Sequence, residues 1–354
     1  MQFNLAQIFN PGNRALIGVD IGGSSIKMVE LASNGKGQSL RMERYCVEPL
    51  PRDAAVDGTI VQAEVVSEAL LRAWKRLGST TKNVALALPV NAVISKKVIL
   101  PSNLSEKELN GQVLSEANQY IPFPMEEVNL DYTILGPSDS GEELDVLITA
   151  AKKDRIIDRL SCLEAIGLKA SVMDVENFAM QRALMALGLK SEEVVAHIDI
   201  GASIMKITMY QNGISLYSRE QNFGGFQLTQ DIARDYGMSL EDAEEAKKTG
   251  QLPSNYESDL LQPFVNTMSL EVSRALQFFF TSTQYGKCDR IVLSGGCVML
   301  PEIVEVVADR AQVSVELANP FKSMTLSDHV SARNLIQDAS CLMVACGLAL
   351  RRFD

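Results

Sequence analysis

The sequence predicts an α/β protein of two related halves, each carrying a turn suited to binding phosphate. The pattern GVDIGGSSIKMVEL in the first half returns as HIDIGASIMKITMY in the second, about 180 residues later. A further apolar strand ends at Ser294 and runs into Gly295 and Gly296. In a chain of 354 residues, such a repeat predicts two duplicated domains that face one another.

Composition argues against several classes of function. Hydrophobic residues make up 46% of the chain and charged residues 22%, which is typical of a globular protein. The net charge of −11 argues against a nucleic-acid partner and against direct docking on an anionic membrane, because both surfaces would repel it. The longest apolar stretch, Cys341–Leu350, is shorter than the roughly 18 residues of a membrane-spanning helix. Six scattered cysteines without a CxxC pair, and only two histidines, predict no structural zinc.

The two turns have the chemistry of phosphate sites. Asp20-Ile21-Gly22-Gly23-Ser24-Ser25 follows an apolar strand, and Asp199-Ile200-Gly201-Ala202-Ser203 follows another. Glycine lets backbone N–H groups approach phosphate closely, and Lys27 adds a cation beside the first turn. An acid that leads each turn suits a hydrated magnesium ion. Taken singly, an acid and a glycine after a strand more often form an ordinary tight turn.

The residues from 91 to 170 predict a small inserted domain. They follow the order strand, helix, strand, strand, helix, and the first helix begins at Ser105, where Glu108 completes a capping box. The second helix is predicted over 153–166 and ends at Gly167. Elsewhere, helices are predicted over 225–236, 239–249, 260–283 and 339–350, with a turn at Asn34-Gly35.

The order of two phosphate turns and then a strand with two glycines resembles the superfamily of actin, sugar kinases and heat-shock chaperones. That resemblance implies an actin-like (ribonuclease H-like) α/β fold, in which two domains enclose a nucleotide cleft and bind ATP and Mg²⁺. It assigns nucleotide contacts to Asp20, Gly22, Gly23, Ser24, Ser25 and Lys27 on one side, and to Asp199, Gly201, Ala202, Ser203 and Gly224 on the other. The backbone at Gly295 and Gly296 would run beside the adenosine. Asp20 and Asp199 would hold magnesium mainly through water.

Glu244 and Lys247 match the acid and lysine that reach the ribose in this superfamily. They lie three residues apart, on one face of a predicted helix. A solvated ion pair is the alternative interpretation.

The position of the insertion resembles the cell-division protein FtsA, and the second half resembles the PilM family of type IV pilus assembly proteins. The segments that carry the second resemblance are SREQNFGGFQLTQDI, YGMS, EDAEEAK, LPSNY, SRALQFFF, ANPF and ACGLALRRFD. The domains expected from it are an N-terminal segment, 1–14; a first domain, 15–90 and 171–190, closed by a C-terminal helix, 339–354; an inserted subdomain, 91–170; and a second domain, 191–338, with a helical lobe at about 225–265.

The resemblance implies a cytoplasmic protein of pilus biogenesis and twitching motility, held at the inner membrane through a partner. That partner would be the cytoplasmic N-terminal tail of PilN, which acts with PilO and PilP; contact with pilus motor ATPases is a further implication. The tail would lie in a groove beside the insertion, and the candidate wall residues are Val93, Ile94, Val98 and Leu100. For each of these, core packing is the alternative.

Catalysis is left open by the sequence. No residue is an unambiguous water-activating group, so we expect ATP hydrolysis to be weak or absent. Asp174 and Glu176 lie where relatives carry such a group, but acids at a helix start are also ordinary capping residues. Two other functions stay open: a self-polymerising, FtsA-like cytoskeletal protein and a small-molecule kinase.

Overall fold

The computed structural model describes residues 15–33, 39–138, 141–190 and 192–353. The predicted segment 1–14 and the turn predicted at Asn34-Gly35 lie outside the described residues. The chain divides into two compact units. Unit 1 comprises residues up to 32, 44–179 and 347 onward, and unit 2 comprises 33–43 and 180–346.

The chain as far as its fourth helix alternates strands and helices. In order, these elements are β1 Ile17–Ile21, β2 Ser25–Ser33, β3 Leu40–Pro49, β4 Ala55–Val56, β5 Thr59–Ile60, α1 Ala63–Leu77, β6 Asn83–Leu88, β7 Val93–Pro101, α2 Glu106–Tyr120, β8 Val128–Pro137, β9 Glu143–Lys152, α3 Lys153–Glu164, β10 Lys169–Val175 and α4 Glu176–Met185.

The main sheet of unit 1 has the strand order β10-β6-β1-β2-β3. Strand β1 pairs antiparallel with β2 and parallel with β6. Helix α1 covers the sheet with an apolar stripe that recurs at helical spacing and includes Val66, Leu70 and Ala73. It ends at Gly78, whose φ of 68° is a left-handed conformation that glycine adopts without strain. This core fixes the position of the turn that comes after β1.

The insertion is a three-stranded antiparallel sheet, in the order β7-β9-β8, with α2 packed on one face. The predicted capping box is confirmed: the Ser105 N–H donates to Glu108 Oε2 at 2.9 Å, and the Glu108 N–H donates to Ser105 Oγ at 3.4 Å. Ser105 also holds the pKa of Glu108 below its usual range, through hydrogen bonds from its hydroxyl and its backbone.

Helix α3 was expected to belong to the insertion, and the structure corrects this. Cys162 and Leu163 of α3, with Leu168 just after it, are buried in the core of the main sheet of unit 1. Arg159 is also buried; its Nε donates to Ala87 O at 3.0 Å and its Nη2 to Gly58 O at 2.6 Å. The amphipathic spacing predicted the helix correctly, but nothing in it identified which sheet the apolar face covers.

Unit 2 contains the second half of the repeat. Its elements are β11 Val195–Ile200, β12 Met205–Gln211, β13 Ile214–Gln221, α5 Gly225–Tyr236, α6 Leu240–Thr249, α7 Gln262–Ser282, β14 Arg290–Ser294, α8 Ile303–Ala311, β15 Val315–Leu317, β16 Thr325–Leu326, α9 Ala332–Asp338 and α10 Met343–Leu350. The sheet order is β13-β12-β11-β14-β15, and β16 pairs with Arg41 and Met42 of β3. Helix α5 has the predicted bounds. A π-helical segment, Glu257–Leu261, runs directly into α7, and a 3₁₀ segment, Ala339–Leu342, runs directly into α10, so the helix predicted over 339–350 is confirmed.

The repeat is visible in the strand register. In unit 1, Asp20 lies opposite Lys27 across β1 and β2, and in unit 2 Asp199 lies opposite Lys206 across β11 and β12. Each turn is closed by the same bond: the Gly22 N–H donates to Ser25 O and the Gly201 N–H to Ile204 O, both at 3.0 Å. The two halves therefore build the same strand–turn–strand unit.

Candidate nucleotide-binding site

The turn of unit 1 presents exposed backbone beside a paired acid and base. Gly23 and Ser24 are exposed at the tip of the turn, between β1 and β2. Asp20 and Lys27 form an ion pair, with Asp20 Oδ2 3.0 Å from Lys27 Nζ, and their side chains are only 12% and 14% exposed. A Cβ at Gly22 would lie 3.0 Å from Lys27 Nζ and 3.2 Å from Ser25 O. Glycine at this position therefore leaves room for the lysine to reach the turn.

The turn of unit 2 is enclosed by glycines. The Gly225 N–H donates to Gly201 O at 3.1 Å, and the Phe226 N–H donates to Ala202 O at 2.8 Å, so α5 begins directly against the turn. A Cβ at Gly224 would lie 2.5 Å from the carbonyl oxygen of Ala202. Only glycine permits this approach of two backbones. Ser203 is exposed at the tip of the turn.

Asp199 ends a buried chain of hydrogen bonds. Ser294 Oγ donates to Asp199 Oδ1 at 2.6 Å, and His197 Nε2 lies 2.8 Å from the same Ser294 oxygen. His197 is 2% exposed and Ser294 is fully buried. Burial lowers the pKa of His197 to about 4, and the charge of Asp199 acts in the opposite direction. The imidazole is therefore neutral at pH 7.

The glycines after β14 take the backbone past the second turn. Gly295 has a φ of 98°, and a Cβ there would lie 2.3 Å from Ile200 O. Gly296 is exposed, with open space around the position of a Cβ. Next to them, Cys297 Sγ donates to Gly201 O at 3.4 Å, and burial raises the pKa of this thiol to about 11. The predicted adenosine turn and the second phosphate turn are thus in contact within unit 2.

Glu244 and Lys247 form a network with Thr229 of α5. Lys247 Nζ lies 2.6 Å from Glu244 Oε2, 2.6 Å from Thr229 Oγ1 and 3.1 Å from Gly225 O. An ammonium has three protons, and here all three have an acceptor. Burial alone would raise the pKa of Glu244, but Lys247, Thr229 and Lys248 together lower it. Lys247 therefore stabilises the start of α5 in this structure, and Glu244, the more exposed of the two, is the better ribose candidate.

Asp174 and Glu176 both have charged partners within unit 1. Asp174, at the end of β10, is 9% exposed, and its Oδ2 lies 3.5 Å from Arg351 Nε. Asp174 Oδ1 also accepts from the Val175 N–H at 2.8 Å. Glu176 is the first residue of α4, and its charge acts on the buried guanidinium of Arg159. These contacts agree with the alternative that both acids have a structural role at the start of α4.

Two of the four candidate wall residues are core residues. Val98 and Leu100 are 8% and 3% exposed and pack in the insertion core, so their side chains are not accessible to a partner. Val93 packs against the small cluster of Leu88, Ala151 and Ile156 and is half-buried, as is Ile94. The alternation of a strand explains the correction, because Ile99, between the two buried residues, is 57% exposed.

The sequence did not predict the contacts of three residues around the second turn, His197, Gly225 and Thr229. His197 lies two residues before Asp199, and this spacing on a strand places both side chains on one face. Thr229 and Gly225 lie in the segment that carried the family resemblance, but their partners depend on how α5 meets the turn.

Within the described residues, no group of three or more potential metal-binding side chains occurs. None of the described helices has the length and apolarity that a membrane crossing requires.

Comparison with known families identifies the chain. The model of the family "Type IV pilus assembly protein PilM" matches residues 18–353. The chain belongs to the PilM family. A chain in the solved structure of a PilM-PilN type IV pilus biogenesis complex is 27% identical to this member of the family, with a TM-score of 0.79, and the match covers 96% of this chain and 98% of that one.

More distant similarities extend to FtsA in sequence and to MreB in fold. Cell division protein FtsA of Bacillus subtilis strain 168 is 21% identical over 355 residues, which are 87% of this chain and 79% of that protein. FtsA of Staphylococcus epidermidis strain ATCC 12228 is 22% identical over 253 residues, and there the match spans only 53% of that protein. MreB 5 of Spiroplasma citri, solved with AMPPNP, has a TM-score of 0.50 at 14% identity, with 95% of each chain covered. The predicted actin-like α/β fold and the relation to FtsA are confirmed.

Proposed function

We propose that this chain is the nucleotide-binding component of a type IV pilus assembly complex on the cytoplasmic face of the inner membrane, where it binds the N-terminal tail of PilN. The observation that carries the proposal is the 27% identity to the chain of a PilM-PilN complex, over 96% of this chain. PilN would hold the chain at the membrane and bring PilO and PilP into the same complex. Pilus motor ATPases are further candidate partners.

The proposed nucleotide is ATP with magnesium. When bound, magnesium neutralises phosphate charge. The two equivalent turns each have exposed residues at the tip, Gly23, Ser24 and Ser203, and each begins with a carboxylate. Carboxylate oxygens, mostly through water, are the ligands that magnesium takes in nucleotide sites. Lys27 supplies a cation at the first turn, and Glu244 is the proposed ribose contact.

The proposed surface for the PilN tail is the β7 edge of the insertion. In the described residues, β7 pairs only with β9, so its other edge can take an extended peptide as an additional strand. Val93 and Ile94 are half-buried at the start of this strand, and Ile99 is exposed near its end. An extended apolar tail would gain backbone hydrogen bonds from the strand and bury these side chains.

Calorimetry with a synthetic PilN tail tests this surface. We expect Ile99→Asp to weaken binding at least tenfold, because it places a charge where an apolar contact is proposed. Ile336→Asp is the matched control, since Ile336 is 67% exposed in α9, outside the insertion. Equal weakening by both substitutions, or by neither, would exclude the β7 edge as the binding surface.

Self-association of the FtsA type is the second candidate function. The similarity to FtsA over 87% of the chain favours it, together with the exposed apolar side chains of Ile99, Ile134 and Leu135 on the insertion. Sedimentation with and without ATP separates the two functions. Filaments that form only with nucleotide would support self-association, and a single small species in both conditions would exclude it.

A further inference from the structure

We infer that His197 and Ser294 are positioning residues that hold the carboxylate of Asp199 toward the second turn, so that Asp199 and Asp20 have different roles. This inference rests on the proposed binding of magnesium-ATP. It concerns a chain of three polar side chains, two of them buried, which sequence patterns alone do not connect.

The geometry fixes Asp199 through one of its two oxygens. Ser294 Oγ donates to Oδ1 of Asp199 at 2.6 Å, a short bond of the kind that an ionised acceptor forms. Among the described residues, no second hydrogen bond to the Asp199 side chain occurs. The register of the sheet brings the two together, because Asp199 of β11 lies opposite Ser294 of β14. The carboxylate is thus anchored on one side, and Oδ2 remains available to a ligand.

The proton positions result from the chemistry of the three groups. An ionised carboxylate only accepts hydrogen bonds, so the Ser294 hydroxyl donates its one proton to Asp199. The Ser294 oxygen can then only accept from His197, and the 2.8 Å contact requires the proton to lie on Nε2 of the imidazole. Because both His197 and Ser294 are buried, water does not compete for these bonds. The imidazole of His197 therefore fixes the rotation of the Ser294 hydroxyl, and this hydroxyl fixes the orientation of the Asp199 carboxylate.

In the first turn, the equivalent carboxylate has a different partner. Asp20 stands at the equivalent position of the repeat, but its partner is the ammonium of Lys27, opposite it on β2. Lys206 is the counterpart of Lys27, and its Nζ lies 3.7 Å from Glu220. Asp20 is therefore paired with a cation, whereas the hydrogen-bond partner of Asp199 is a neutral hydroxyl. This assigns the magnesium-facing role to Asp199, and to Asp20 the role of holding Lys27 beside the phosphates.

Two measurements test the inference. The first is the affinity for ATP with magnesium and with EDTA, measured by calorimetry. The magnesium-dependent gain is the ratio of the affinity for ATP with magnesium to that with EDTA. Ser294→Ala is expected to reduce this gain roughly tenfold, because a hydrogen bond to a charged group is lost. The affinity in EDTA is expected to be unchanged. Ser294→Thr, which keeps the hydroxyl, is expected to restore the gain. A purely structural role of Ser294 would reduce both affinities together.

The second measurement is nitrogen NMR of the imidazole in the nucleotide-free protein at pH 7. In the His329→Gln variant, which removes the other, exposed histidine, only His197 contributes. A proton on Nε2 is expected, and its loss or exchange with Nδ1 is expected in Ser294→Ala. A proton on Nδ1 in the parent protein would overturn the inferred chain without reference to any ligand.

The outcomes separate this inference from the proposed function. If the parent protein binds ATP with no gain from magnesium, both the proposed site and the positioning role are wrong. If the parent protein shows the gain and Ser294→Ala shows it undiminished, the positioning role alone is wrong. Support requires the Nε2 proton and the selective loss of the magnesium-dependent gain.

Discussion

At the scale of single residues, the second turn depends on close backbone contacts that exclude any side chain. Gly295 combines a φ of 98° with a Cβ position only 2.3 Å from Ile200 O. Strain in the backbone and overlap with a carbonyl oxygen would act together on any other residue there, and neither could relax without moving β11. Gly296, its neighbour, has open space at the same position.

We predict that Gly295→Ala lowers the free energy of unfolding by about 3 kcal/mol, whereas Gly296→Ala changes it by no more than about 0.5 kcal/mol. The physical reason is the difference in backbone conformation and space between two adjacent glycines. Urea unfolding of both variants measures it. Equal stability of the two variants would contradict the close contact of Gly295 with the second turn.

The buried imidazole of His197 predicts a dependence of stability on pH. Its pKa is about 4 in the folded protein and 6.5 ordinarily, so between these values the unfolded state binds more protons. Stability must then rise with pH across this window and be fully present above about pH 6.5. His197→Gln should remove a contribution of about 3 kcal/mol to this rise.

Thermal unfolding of the parent protein and both histidine variants, from pH 7 to pH 4.5, measures this contribution. His329→Gln is the control, because His329 is the other histidine of the chain and its side chain is exposed. If the free energy of unfolding of His197→Gln depends on pH as steeply as that of the parent protein, the imidazole is not held neutral by burial.

At the scale of elements, the crossing of α10 with α4 shows why a helix rich in small residues packs in this core. A Cβ at Gly347 would lie 1.8 Å from the carbonyl oxygen of Ala179, so the two backbones are in direct contact there. Gly111 in α2 is also a helical glycine, but nothing lies near the position of its Cβ. Substitution of Gly347 therefore reports the effect of helix packing, and substitution of Gly111 reports the effect of helix propensity alone.

Gly347→Ala is predicted to destabilise the protein by at least about 3 kcal/mol, because α10 cannot move away from α4 without opening the buried positions beside it. Gly111→Ala is predicted to stabilise it by about 0.5–1 kcal/mol through helix propensity alone. Differential scanning calorimetry of both variants measures the contrast. A Gly347→Ala protein as stable as the parent would show that the two helices are not in backbone contact.

The elements also show what can be predicted from sequence. Helix α5 and the cap of α2 are encoded by local signals, namely the glycine pair at the start of α5 and the Ser105–Glu108 spacing. The assignment of α3 failed, because the choice between two neighbouring sheets depends on contacts such as Arg159 with Gly58, about 100 residues away. The short strands β4, β5 and β16 have only two residues each, too few for a pattern.

At the scale of the whole molecule, the duplicated strand–turn–strand unit is the feature that sequence predicts most securely. Its signal, an acid and glycine after an apolar strand, is local and occurs twice. The partners of the two acids are not encoded locally: Asp20 pairs with a lysine on the next strand, and Asp199 pairs with a serine 95 residues away. The candidate site could therefore be located from the sequence, whereas the different surroundings of its two acids required the structure.

The family assignment connects this duplicated fold to a role in pilus assembly, and the proposed role makes two demands on one protein. It must bind a nucleotide at the turns, and it must bind a partner peptide at the insertion. If nucleotide state changes the populations of partner-binding conformations, the two affinities must be coupled, because such coupling is reciprocal. If they are independent, ATP stabilises the fold and does not regulate the partner.

The measurement that tests the central claim most directly is calorimetric titration of the PilN tail peptide into the protein, with magnesium-ATP and without it. We predict saturable one-to-one binding with a Kd of roughly 1 μM, about −8 kcal/mol, in at least one of the two conditions. A protein that binds ATP but shows no heat of peptide binding in either condition would contradict the proposed role in the pilus complex.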